Sequence, residues 1–107
     1  MINSWNGLLA ATRTEAAFRQ EIALLLIAVP AAFLLTQEAW KRVALIGVVF
    51  LAMIVELLNT SIEKLADRVT LEHDVRIGRV KDMGSAAVGL TLLVILFVWL
   101  LVLSEHF

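Results

Sequence analysis

Three stretches of the chain carry no charged residue, and they set its architecture. Ile22 to Gln37 is 16 residues long, Val43 to Val55 is 13 and Met83 to Ser104 is 22. A helix crosses the hydrocarbon core with roughly 17–25 mostly apolar residues. The third stretch meets that requirement alone. The first meets it by borrowing a residue at each end. The second needs to continue through Glu56 to Ile62, which brings it to about 20 residues at helical rise. Ahead of these, Ile2, Trp5, Leu8 and Leu9 recur at helical spacing among Asn3, Asn6 and Gly7. That pattern predicts a short amphipathic helix lying in the membrane interface, with tryptophan as its anchor.

The expected fold is therefore an all-α membrane protein forming one membrane domain over residues 1–107. It has an interfacial helix over 1–14 and transmembrane helices over about 18–37, 43–63 and 81–104. Pro30 falls inside the first span, where membrane helices tolerate it, so it predicts a kink at most. Composition agrees: 61% of the residues are hydrophobic, too many for a soluble chain of 107 residues. A net charge of −1 argues against nucleic acid as a partner. The chain has no cysteine, which removes disulfides and thiolate metal sites. The N-terminal stretch lacks the basic segment of a signal peptide, so the first span is expected to be retained.

Basic residues orient the spans. Arg13, Arg19, Lys64, Arg68, Arg76, Arg79 and Lys81 fall on one side, and Lys41 and Arg42 on the other. The positive-inside rule makes the richer side cytoplasmic, with the N-terminus inside and the Glu105–Phe107 tail outside.

The segment VELLNTSIEKLADR, Val55 to Arg68, puts chemistry on that frame. At about 100° per residue, Glu56, Asn59, Thr60, Glu63 and Asp67 share one sector of about 100°. One helix thus carries an acidic stripe from inside the bilayer to the cytoplasmic edge. Glu63 and Asp67 can be explained by pairing with Lys64, Arg68 or a neighbouring helix. Glu56 cannot, because an ionisable group inside a span costs several kcal/mol and marks function by default. Neighbouring carboxylates repel unless a cation sits among them. Mg²⁺ suits such oxygens and usually arrives with nucleotide phosphates. Glu15 and Glu21 lie just before the first span, and Lys81 and Asp82 open the third. Gly84, Ser85, Ala86, Ala87 and Gly89 follow as a small-residue surface suited to close helix packing. Metal ligands, a lysine and a membrane-embedded base together suit phosphoryl transfer to a lipid hydroxyl. No P-loop or protein-kinase motif is present, so a kinase here is of another kind. A proton- or ion-conducting subunit, with Glu56 as carrier, is the non-enzymatic alternative. The clustering of charges at the boundary argues against it.

EAAFRQE (Glu15–Glu21), VELLNTSIE (Val55–Glu63) and KDMGSAAV (Lys81–Val88) closely resemble the bacterial integral-membrane diacylglycerol kinase family. The resemblance covers nearly the whole chain from Ser4, with the three blocks in order. It implies ATP-dependent phosphorylation of 1,2-diacylglycerol to phosphatidic acid at the inner (cytoplasmic) membrane of a bacterium. It also implies a homotrimer with active sites between subunits. By matching position, Glu56 is the expected general base, with Asn59, Lys81 and Asp82 in the catalytic set. Glu15 and Glu63 are expected to hold the Mg²⁺ of Mg-ATP. Glu72, Lys81 and Asp82 join them in contacting nucleotide. Ala17, Phe18, Arg19, Gln20, Glu21, Ser85 and Trp99 match positions near the lipid substrate. LEHDV departs from the family pattern, because His73 stands where an aromatic is usual. A related branch that phosphorylates undecaprenol is similar around ELLNTxIEKL, but KDMGSAAV favours the diacylglycerol branch.

Overall fold

The structure is a computed structural model describing Ile2–His106. Met1 and Phe107, the ends of the expected interfacial helix and outward tail, lie outside the described residues, as does the side chain of Ile2. Four helices follow in order: α1 (Ile2–Thr14), α2 (Ala16–Leu35), α3 (Ala39–Val69) and α4 (Val75–His106). The described residues contain no strand. Three of the helices, α2, α3 and α4, are long and apolar enough to cross a membrane.

The helices outrun the charge-free stretches that predict them. With 31 residues, α3 is about 46 Å long, against about 30 Å of hydrocarbon. The excess lies largely at its C-terminal end, where Ile62–Val69 holds helix-favouring Glu, Lys, Leu, Ala and Arg. The acidic stripe therefore stays on one rigid rod as it leaves the apolar region. α4 likewise gains two polar turns before Met83.

Local signals explain the breaks. Thr70 leaves the helical region as the C-cap of α3, and its N–H still donates to Ala66 O at 3.0 Å. Asp74 starts α4, with Oδ1 accepting from the N–H groups of Arg76 (2.8 Å) and Ile77 (3.2 Å). Those are two of the donors a helix start leaves unpaired. Between α2 and α3, Arg42 Nε donates to Thr36 O at 2.9 Å, and its guanidinium lies over the Phe33 ring at 4.3 Å. Pro30 does not break α2.

Helix α3 is the centre of the molecule, packed against α4 on one side and α2 on the other. α2 and α4 barely meet, and α1 packs mainly on α2. Small buried residues, Ala28 and Ala32 on α2 and Ala52 on α3, let the backbones approach closely. Ala32, Leu45 and Val102 form the core at the end of the bundle away from the acidic stripe, with Ile46, Val98 and Trp99 against them. Trp99 Nε1 donates to Leu45 O at 3.1 Å and ties α4 to α3. Beside it, Lys41 pairs with Glu105 and, at 3.5 Å, with Glu38. Large apolar side chains elsewhere face outward, Leu34 at 83% exposure and Phe97 at 73% among them. Water would not tolerate that surface, but lipid or a neighbouring helix matches it.

Candidate functional site

Register along α3 builds the site. Glu56 and Asn59 lie on the buried side of α3, at 9% and 8% exposure. Glu63 and Asp67 continue the same stripe but are exposed, although Ala66 between them is buried. Asn59 Nδ2 donates to Glu63 Oε1 at 3.1 Å, so the carboxamide steadies the carboxylate one turn on.

α2 brings a second pair of carboxylates against this stripe. Glu15 is the N-cap of α2, and Glu21 lies two turns further in. Glu15, Glu21 and Glu63 are all close enough to Glu56 to interact with it electrostatically. Glu15 Oε1 also faces Lys64 Nζ at 3.4 Å, which links the start of α2 to the acidic end of α3. α4 contributes from the other side. Lys81 Nζ donates to Asp67 Oδ1 at 2.6 Å. Gly84, one turn deeper on α4, is buried against the Asn59 side chain.

Two oxygens in this cluster stand out. Glu21 Oε1 and Asn59 Oδ1 are shielded from solvent with no hydrogen-bond partner. Such orphaned acceptors are rare in folded proteins and mark places where a donor or cation fits. Among the described residues, no three His, Cys, Asp or Glu side chains gather to cage a bare ion. A Mg²⁺ that keeps its waters and its phosphate ligands needs only one or two carboxylates, and Glu15 and Glu63 have the right chemistry.

The other residues singled out in the sequence divide in two groups. Glu72 lies in the α3–α4 loop, its N–H donating to Thr70 Oγ1 at 3.0 Å. It lines a cleft of about 320 Å³ with His73, Asp74, Ile77, Gly78 and Lys81. That cleft adjoins the acidic cluster through Lys81. Phe18 is buried at 2%, and Ala17 and Gln20 are exposed beside it. Arg19 clasps the end of α1, with Nη1 donating to Thr12 O (3.1 Å) and Arg13 O (3.0 Å). Asp82 and Ser85 are exposed on α4. Trp99 is bonded at Leu45, eleven residues and so about 16 Å along α3 from Glu56. The chain alone thus unites Glu15, Glu21, Glu56, Asn59 and Glu63, with Lys81 joined through Asp67, and leaves Trp99 apart.

Pairings between helices were the part that pattern reading missed. Helical periodicity places Asp67 on the stripe and Gly84 on a small-residue surface. It does not say that Lys81 answers the first or that Asn59 occupies the space of the second.

Three apolar helices and a cluster of carboxylates, amide and lysine at one end of the bundle define a polytopic membrane protein with a polar site at the bilayer edge. Comparison with known proteins narrows this. The profile of the prokaryotic diacylglycerol kinases matches residues 2–103. A diacylglycerol kinase of Escherichia coli (strain K12) is 49% identical over 104 residues, covering 97% of this chain and 85% of the relative. One from Pseudomonas aeruginosa is 48% identical over 97 residues, 91% of this chain and 79% of its own length. One from Haemophilus influenzae is 38% identical over 96 residues, 90% and 81% of the two chains. The chain belongs to the prokaryotic diacylglycerol kinase family, and it is a kinase of a bacterial membrane.

Proposed function

We propose that the protein transfers the γ-phosphoryl group of ATP to the free hydroxyl of 1,2-diacylglycerol, giving phosphatidic acid at the cytoplasmic face of the inner membrane. One observation carries the reading. A buried carboxylate, Glu56, lies inside a membrane-spanning helix, about one turn from Asn59 and two from Glu63, which pair at the helix's polar end. A base at that depth meets a hydroxyl that stays in the lipid, and the polar end meets a nucleotide from water.

In this reading Glu56 accepts the proton of the diacylglycerol hydroxyl as its oxygen bonds to the γ-phosphorus. The bond from that phosphorus to the β–γ bridging oxygen breaks, and ADP leaves with the electron pair. Asn59 holds Glu63 in place through its amide hydrogen bond. Glu15 and Glu63 would hold Mg²⁺, which when bound would neutralise phosphate charge. Lys81 adds a mobile cation at the phosphates, and Asp82 and Glu72 contact the nucleotide around the α3–α4 loop. Phe18, Glu21 and their neighbours on α2 line the approach of the lipid. The homotrimer is what the family resemblance implies, and the exposed apolar flanks offer the surface against which a neighbouring subunit would complete each site. The basic residues support an N-terminus in the cytoplasm.

Purified protein in mixed micelles, given ATP labelled at the γ-phosphate, tests the reading. Label is expected in phosphatidic acid when diacylglycerol is supplied, and far less in undecaprenyl phosphate when undecaprenol is supplied. Preferential labelling of undecaprenol would overturn the substrate assignment, and labelling of neither would overturn the kinase reading.

A further inference from the structure

The ion pair between Asp67 and Lys81 lies outside the base and metal ligands proposed above. Lys81 Nζ donates to Asp67 Oδ1 at 2.6 Å, across a sequence separation of 14 residues. The two residues sit on α3 and α4, on either side of the connecting loop. The Lys81 and Asp67 side chains are 40% and 49% exposed, so water and salt screen the pair and its contribution to stability is small. Holding the fold together does not account for this pair.

Competition among acids does. Lys81 also borders the loop cleft that contains Glu72 and Asp74. A lysine carries a compact charge on a flexible four-carbon stem and can follow Asp67 or Glu72, whereas Asp74 is engaged in capping α4. Asp67 stands one turn beyond Glu63 on the polar stripe of α3. Its contact draws the ammonium to the α3 side of the cleft, toward the carboxylates proposed to hold the metal. Lys64, the lysine next to Glu63 on α3, is already turned to Glu15.

We infer that Asp67 is a positioning residue that keeps the Lys81 ammonium on the α3 side of the cleft, where it meets the nucleotide's phosphates rather than the loop carboxylate Glu72. The inference rests on the reading of Lys81 as a phosphate contact, and the two are separable by experiment. Wild type, Asp67→Asn, Asp67→Glu, Lys81→Met and the Asp67→Asn/Lys81→Met double variant are compared. Steady-state kinetics are measured against Mg-ATP and against diacylglycerol. Binding of Mg²⁺ with adenylyl imidodiphosphate is measured alongside, so that a variant with little turnover still reports.

Asp67→Asn is expected to raise the KM for Mg-ATP and weaken analogue binding by about tenfold, within the usual range of coupling between contacting residues. The KM for diacylglycerol and the thermal midpoint stay at wild-type values. Asp67→Glu recovers part of the loss, and the double variant is no worse than Lys81→Met alone. If Lys81→Met impairs nucleotide use while Asp67→Asn matches wild type, or the two losses multiply independently, the role of Asp67 is refuted and that of Lys81 stands. If Lys81→Met binds and uses Mg-ATP normally, the phosphate-contact reading fails and takes the inference with it.

Discussion

The side chain of Asn59 fills the space that a side chain on Gly84 would need. A β-carbon built at Gly84 would collide with Asn59 Oδ1 and crowd its Cγ at 3.3 Å. The same carboxamide donates to Glu63. One small residue on α4 thus governs the position of a polar group on α3 and, through it, of a carboxylate.

Gly84→Ala is therefore expected to push Asn59 out of its hydrogen bond with Glu63. Overpacking a well-fitted contact costs about 1–3 kcal/mol. The variant should still fold and assemble, with a lower thermal midpoint and turnover reduced by roughly 5- to 150-fold if that cost falls on the active geometry. Alanine at this position with unchanged turnover and an unchanged Mg²⁺ titration would separate the glycine from the site.

Glu56→Gln keeps the size of the side chain and removes its basicity. Turnover is expected to fall by about 10²–10⁴-fold, the usual contribution of a general base. Binding of Mg²⁺ with adenylyl imidodiphosphate should persist, since Glu56 lies deeper than the proposed metal ligands. Near-normal kcat in Glu56→Gln, measured in micelles saturated with diacylglycerol, would remove the base assignment.

Glu15→Ala and Glu63→Ala should each shift the Mg²⁺ activation curve to higher concentration, as the metal loses one of two protein carboxylates. Glu63→Ala also frees the Asn59 amide and should lower kcat further than Glu15→Ala does. Superimposable Mg²⁺ titrations for a variant and wild type would take that carboxylate out of the metal site.

Trp99→Phe tests whether the indole is a tie between helices or a lipid contact. The structure has Nε1 donating to Leu45 O. Loss of that hydrogen bond is expected to lower stability by about 1 kcal/mol, with most of the ring's packing kept. If Trp99 touches the substrate, the KM for diacylglycerol rises while the thermal midpoint holds. If it is the tie, the midpoint falls and the KM holds.

The number of spans, the acidic face of α3 and the exposed apolar flanks could all be read from the sequence. They follow from where charge is absent and from the 3.6-residue repeat, and both are properties of a single helix. The depth of Glu56 was legible for the same reason, because eleven residues of helix separate it from Leu45 whatever surrounds them. The full lengths of α3 and α4 were less so. Helix-favouring polar residues such as Glu63 and Arg68 carry no hydropathy signal, yet they extend the rod beyond the apolar run. What tertiary structure alone decided is which helix answers which. Lys81 meets Asp67, Lys64 meets Glu15, Asn59 rests on Gly84, and Trp99 reaches the backbone at Leu45. Each depends on the relative rotation and vertical offset of two helices. Packing of small residues such as Ala28, Ala32 and Ala52 sets those quantities, and a periodic pattern along one chain does not encode them.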